Sequence, residues 1–195
     1  MTASLLTRRH LLLALTGVLA ACGQTPSPIL YTLVPRPGVR IARPIAGGVA
    51  LRTVDVAHYL NRPQIVRHGN TYVLKADEYE RWAESLDTMI TRVLVEDLTM
   101  RLPGAQVSAA ASPVTAKADT MIAVDIERFD ADPGNSVVLT AHWSVRKGAG
   151  DAPVHLEEIS VSAATDSTSD LAAAMSDCLA QLSDRIAQSL GGVSS

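Results

Sequence analysis

Two kinds of residue in this 195-residue chain could do chemistry, a cysteine at position 22 and five scattered histidines, and only the cysteine stands in a pattern. Leu19-Ala20-Ala21-Cys22 closes an apolar run from Leu11 to Ala21, which follows the basic Thr7-Arg8-Arg9-His10. The run is too short to span a bilayer and right for the h-region of an export signal. Small residues before the cysteine match the bacterial lipobox, where a peptidase cuts and the thiol is acylated as a thioether. The competing reading is a secretory signal cut at Ala-Ala, which would leave Cys22 an ordinary thiol. Arg8-Arg9 leaves the export route, general or twin-arginine, open. No comparable pattern surrounds His58, His68, His142 and His155: neither Gly-x-Ser-x-Gly nor His-Glu-x-x-His occurs. The expectation is therefore no catalytic residues, no metal ligands and no cofactor.

Charge and cysteine usage narrow the class further. Seventeen basic against twenty acidic residues give a net charge of −3, without the Lys/Arg clustering that nucleic-acid binding needs. Cleavage before Cys22 removes Arg8 and Arg9 and no acid, so fifteen basic residues face twenty acidic ones and the mature charge is −5. With Cys22 acylated, Cys178 has no disulfide partner and is expected buried as a small apolar side chain. Gly23 stands where an Asp would favour retention at the inner membrane, so the outer membrane is the expected destination. Residues 22–28 then form a short tether whose reach is about 25 Å at most. The expected organisation is a signal peptide at 1–21, the tether at 22–28, one domain at 29–190 and a flexible tail at 191–195.

The elements that would position these groups follow from periodicity. Ile29 to Val34 reads as a first strand, and Pro35 to Pro44 as a proline-punctuated connector. Val49 to Val56 reads as a strand whose apolar parity switches, through a bulge or two buried faces. Gln64 to His68 and Thr71 to Lys75 read as a hairpin around Gly69-Asn70. Asp77 and Glu80 form a capping-box pattern ahead of a helix from Glu78 to Leu102, with Tyr79, Trp82, Leu86, Met89, Ile90, Val93, Leu94 and Leu98 on its buried stripe and Pro103-Gly104 as its stop. Ala105 to Ser108 is a short strand candidate. Three alternating segments around Ile122, Leu139 and Ile159 predict an antiparallel meander. Ser169 or Asp170 would cap a closing helix with the stripe Leu171, Met175, Cys178, Leu179, Leu182, Ile186 and Leu190. Together these imply an α+β two-layer sandwich, an antiparallel or mixed sheet with two main helices on one face.

Tyr31-Thr32-Leu33, Tyr59-Leu60-Asn61-Arg62-Pro63-Gln64-Ile65-Val66 and Arg81-Trp82-Ala83-Glu84-Ser85-Leu86 resemble the hallmarks of the PqiC-like ABC-type transport auxiliary lipoprotein family. The resemblance covers essentially the mature chain. It implies a non-catalytic lipoprotein of the outer membrane that faces the periplasm and is held by palmitate-type acyl chains on Cys22. Its partners would be an MCE-domain protein and the associated inner-membrane transporter, in a system moving lipids between membranes and preserving envelope integrity. A homo-oligomer is left open. Partner-binding residues would be Arg62, Pro63, Gln64 and Tyr31. Against that, Arg62-Pro63-Gln64 reads more readily as a structural turn with Arg62 paired to a helix carboxylate such as Glu84, the commoner outcome at such positions. Trp82 reads as core, and Arg81 with Glu84 as a solvated pair. The rival function is a periplasmic lipoprotein that binds lipid or another small ligand between sheet and helices.

Overall fold

The computed structural model describes residues 26–112 and 118–191; the signal segment, Cys22 and residues 192–195 lie outside them. Nine strands and two helices follow in the order β1 (Ile29–Tyr31), β2 (Gly47–Leu51), β3 (Asp55–Val56), β4 (Gln64–Asn70), β5 (Val73–Trp82), α1 (Leu86–Arg101), β6 (Ala105–Ala109), β7 (Ala118–Ala131), β8 (Ser136–Lys147), β9 (Val154–Ser162) and α2 (Thr168–Gly191). The strands form one mixed sheet with the two helices packed on it and on each other, the α+β arrangement the periodicity predicts.

The long strand β7 organises the sheet. One edge pairs antiparallel with β8 over nearly its whole length, and β9 extends β8 to complete the meander. Its other edge is shared by three short parallel partners in succession: β2 beside Ala118 to Ile122, β3 beside Asp125 and Ile126, and β4 where Arg67 meets Ala131. Beyond these, β6 adds parallel to β2, β5 adds antiparallel to β4, and β1 adds parallel to β5. The parity switch in Val49–Val56 is a break between two strands. The Arg52 N–H still bonds Ile122 O (2.9 Å), but the Val54 N–H turns to Thr91 Oγ1 (3.2 Å), which buries Val54 against α1. Burial drives the exchange, since a buried N–H must find a partner off the ladder.

Boundaries differ from the periodicity reading at several places, beginning with β1, which ends at Tyr31 and not Val34 because Leu33 and Val34 turn their N–H groups to the helices. The hairpin turns at Thr71-Tyr72, two residues beyond Gly69, and its second strand runs to Trp82. The helix expected from Glu78 therefore begins at Leu86, so it spans 16 residues, roughly 24 Å, and not the full width that 78–102 would give. Tyr79, Trp82 and Leu86 fit helical spacing, but the backbone of 80–82 is claimed by β1 on one side and β4 on the other. Trp82 N–H donates to Pro63 O (2.7 Å) and Ala83 N–H to Tyr31 O (2.9 Å). Asp77 is no helix cap: its Oδ1 accepts from Tyr79 N–H (2.8 Å) within the strand. From Leu86 the stripe is as expected, with Met89, Ile90, Val93, Leu94 and Leu98 fully buried. Gly104 ends the turn after α1 at φ +83°, where an added Cβ would lie 3.2 Å from Ile45 O.

At the second helix the cap is Ser167, whose Oγ accepts from Asp170 N–H (3.2 Å), rather than Ser169 or Asp170. The predicted stripe from Leu171 to Leu190 is buried throughout, Cys178 included. Between β1 and β2 the connector is clamped to both helices by a buried guanidinium. Arg101, inaccessible to solvent, bonds Asp184 Oδ1 (2.6 Å), Arg36 O (3.1 Å), Asp97 O (3.0 Å) and Ala180 O (3.0 Å). Asp97 Oδ1 in turn accepts from Arg36 N–H (2.8 Å), and Gly38 lies directly against the guanidinium.

Candidate functional site

The turn His58–Leu60 buries Leu60 and ends in a tight series of backbone bonds, Leu60 N–H to Ala57 O, Asn61 N–H to His58 O and Arg62 N–H to Leu60 O. Pro63 follows with its carbonyl fixed by the Trp82 N–H, and Trp82 is itself buried in the core. Arg62 and Pro63 are thereby held on an exposed, rigid corner. Gln64 opens β4 opposite Arg81, and Arg81 lies beside Leu30 of β1, so one rung carries a residue from each of three strands. Tyr31 sits one rung on, paired with Trp82, its hydroxyl 3.5 Å from Glu80. All four predicted partner-binding residues, Tyr31, Arg62, Pro63 and Gln64, thus cluster at the base of the β4–β5 hairpin.

Charge pairing at this corner departs from the turn reading. Glu84, just ahead of α1, is taken by Arg92 of that helix (3.2 Å), which also reaches Glu96 one turn on (3.5 Å). Arg81 pairs with Glu78 (2.9 Å), not Glu84, and Glu78 also accepts two bonds from Gln64 Nε2 (3.0 and 3.1 Å). Arg62 makes no ion pair among the described residues. It stands as an uncommitted cation beside a Gln64–Glu78–Arg81 ladder that holds its neighbours in place. Two strands over, on β1, Ile29 and Leu30 add exposed apolar surface, at 58% and 62% of full exposure. Those two residues were not singled out from the sequence. Adjacent side chains on a strand point to opposite faces, and both are exposed here at the start of a three-residue strand paired with β5 alone.

The remaining titratable groups are structural in character. Asp130, fully buried, collects the Tyr59 hydroxyl (2.6 Å), Arg128 Nε (3.0 Å) and His68 Nε2 (3.3 Å). Burial, then the hydrogen bond to Asp130, pushes the Tyr59 hydroxyl above its ordinary pKa, so it stays a donor. His142 pairs with Glu127 (3.0 Å) on the exposed face, and His155 stacks on Trp143 with centroids 4.2 Å apart. Burial first, then the charge of Asp177, pushes the Cys178 thiol up to about 12, which leaves it protonated and a poor nucleophile. Among the described residues no group of three or more His, Cys, Asp or Glu side chains is placed to hold a metal ion. An open cleft of about 630 Å³ lies between α1 and β6, walled by Thr91, Val95, Val107 and Ala111. Among the described residues no helix is long and apolar enough to cross a membrane.

Two solved structures share this architecture. One, described only as an uncharacterized protein, aligns with a TM-score of 0.72 at 19% identity and covers 85% of this chain and 99% of its own. The other, a Xanthomonas campestris protein of the DUF330 family, aligns with a TM-score of 0.68 at 15% identity and covers 81% and 92%. At such identities the likeness speaks for the fold. No curated protein matches the chain. The family model for the ABC-type transport auxiliary lipoprotein component matches residues 31–187, from the tyrosine of β1 through almost all of α2. That span holds the sheet, both helices and the rigid corner, and on it the chain belongs to the ABC-type transport auxiliary lipoprotein family.

Proposed function

We propose that this protein is a non-catalytic outer-membrane lipoprotein of an MCE/ABC-type intermembrane lipid transport system. It docks the transport conduit at the outer membrane and so supports envelope integrity. Cys22 is its acylated anchor. Its folded part offers the corner of Tyr31, Arg62, Pro63 and Gln64 to an MCE-domain protein and the inner-membrane transporter behind it. The observation that carries this reading is the corner itself: an exposed arginine, without an ion pair among the described residues, on a backbone fixed at both sides, with the exposed Ile29 and Leu30 two strands over on the same sheet. Pre-organised surfaces of this kind lose little entropy on docking, and arginine is enriched among binding hot spots.

A photo-crosslinking amino acid at position 62, introduced in cells, is expected to capture the MCE-domain protein, while the same group at Val154 on β9 is not. Equal capture at both positions, or none at 62, would refute the corner as the contact. Cys22→Ala is expected to release the folded protein from the membrane and abolish envelope protection; a soluble form that still protects would sink the anchoring idea. The cleft between α1 and β6 favours one second reading, a lipid- or small-ligand-binding lipoprotein, because its volume is that of small-molecule sites. That reading expects phospholipid in organic extracts of the purified protein, and clean extracts argue against it.

A further inference from the structure

The far end of the β4–β5 hairpin has a use that the corner at its base does not explain. From Val73 to Tyr79 both faces of β5 are exposed, while β4 opposite stays tied to the body through buried Ile65 and Val66 and the His68–Asp130 contact, so it is the turn from Asn70 to Val73 that stands clear of the core. Its tip carries Tyr72 at 94% exposure, followed by Val73 at 44% and Leu74 at 46%. Three consecutive exposed residues of this kind, one of them an amphipathic aromatic, are costly to leave in water and suited to a membrane interface.

The path of the N-terminal chain says what covers them. β1 runs parallel to β5 with Ile29 beside Glu80, so the residues before Ile29 head back toward the tip. Seven residues of strand separate Glu80 from Val73, a rise of roughly 24 Å. Seven residues likewise separate Ile29 from Cys22, and extended chain of that length reaches about 25 Å. Cys22 can therefore lie level with the hairpin tip and not beyond it. Between Arg67 and Ala76 the hairpin has no carboxylate, only Arg67, His68 and Lys75 among its ionisable groups apart from Tyr72. The Asp132 carboxylate of the adjoining β7–β8 turn is paired with Arg128, which also holds Asp130. The first carboxylates along β5, Asp77 and Glu78, lie five and six residues beyond Tyr72, so the tip itself carries no acid.

We propose that Tyr72, Val73 and Leu74 form a second membrane contact, seated in the headgroup boundary of the same bilayer that holds the Cys22 acyl chains. Two attachments orient a domain where a flexible tether alone would let it swing, and the second fixes which way the docking corner faces. The inference rests on Cys22 being the anchor. The test uses the full acylated chain in phosphatidylethanolamine–phosphatidylglycerol vesicles, with a nitroxide at Tyr72→Cys and, separately, at Val154→Cys; Cys178 is buried and stays unlabelled. At position 72 collisions with oxygen are expected to exceed those with an aqueous nickel reagent, giving a ratio several-fold above that at 154. A ratio at 72 equal to that at 154 in membrane-bound protein overturns the contact and leaves the anchor standing. A label shielded from both reagents means that protein, not lipid, covers the tip, and also overturns it. Labelled chain that stays in the soluble fraction overturns the anchor and the contact together.

Discussion

Replacing Asp97 by Asn removes one negative charge from the clamp that holds the Arg36–Gly38 connector, and its effect should depend on pH in a direction the structure fixes. Asp97 is inaccessible to solvent; it accepts from Arg36 N–H (2.8 Å) and faces Arg101 (3.6 Å), the hydroxyl of Ser183 (3.5 Å) and the carboxylate of Asp184. Burial dominates over the attractive contacts and raises its pKa from an ordinary 3.8 to about 6. A folded-state pKa above the unfolded one means that between pH 6 and 4 the native state binds the proton more tightly, so acidification through that window stabilises the fold. The rise is worth roughly 3 kcal/mol at 1.36 kcal/mol per pKa unit. The amide of the Asp97→Asn variant cannot take up the proton. Urea unfolding of both forms at pH 7, 6, 5 and 4 is therefore expected to show wild type gaining on Asp97→Asn by about 2 kcal/mol from pH 7 to 4, most of it between 6 and 4, the remainder appearing only below the unfolded pKa. Other carboxylates titrate in both proteins and cancel in the difference. A difference that stays flat, or that moves in favour of the variant on acidification, would refute the claim that burial outweighs Arg101 at this carboxylate.

Three further outcomes follow from the same contacts. Gly38→Ala would drive a Cβ into the Arg101 guanidinium, and since that group is fixed by four bonds the connector must move; a loss of ~1–3 kcal/mol in urea unfolding is expected, and an unchanged midpoint would show that the connector has slack. Leu94→Ala, in the fully buried stripe of α1, should cost ~2–5 kcal/mol, whereas Leu30→Ala on exposed β1 should leave stability within about 0.5 kcal/mol while lowering crosslinking from position 62. With its pKa raised to about 12, Cys178 should resist maleimide in native protein at pH 8 and react fully in urea; rapid native labelling would contradict its burial.

The sequence was most legible where one element makes its own pattern. The meander β7–β8–β9 and the stripe of α2 follow from alternation and three-and-four spacing alone, because each buries one face against a single partner layer. Residues 78–82 were misread for the complementary reason: Tyr79, Trp82 and Leu86 satisfy a helical stripe, and what decides for strand is hydrogen bonding to Tyr31 and Pro63, about 50 and 20 residues away. The order of β2, β3 and β4 along one edge of β7 is likewise a matter of distant register that no local pattern encodes. The candidate site was half legible. Arg62-Pro63-Gln64 reads as a corner from its proline, but its approach to Tyr31 depends on the parallel pairing of β1 with β5. The Arg101 clamp was not anticipated, since a lone arginine near a helix end looks like a solvated cation favouring the dipole.

The placement of that clamp has a mechanical reason if Cys22 is the anchor. Any pull between membrane and conduit enters the fold through β1, which is only three residues long and paired on one side. Because β1 lies parallel to β5, tension directed along the strand axis would load its hydrogen bonds together in shear and not peel them singly. Three bonded rungs are still a modest hold, and the segment just beyond them is where β1 would begin to slip into solvent. There the chain is fixed again: Leu33 is buried with its N–H on Met89 Sδ (2.9 Å), Val34 N–H bonds Ser176 Oγ (3.2 Å), and Arg36 is gripped through both its N–H and its carbonyl by Asp97 and Arg101. The buried ion pairs cost desolvation that an apolar core would not. Set directly behind an edge strand that such an anchor would pull on, they would pass the load to both helices at once, so the proposed docking corner at Tyr31 would keep its register under tension.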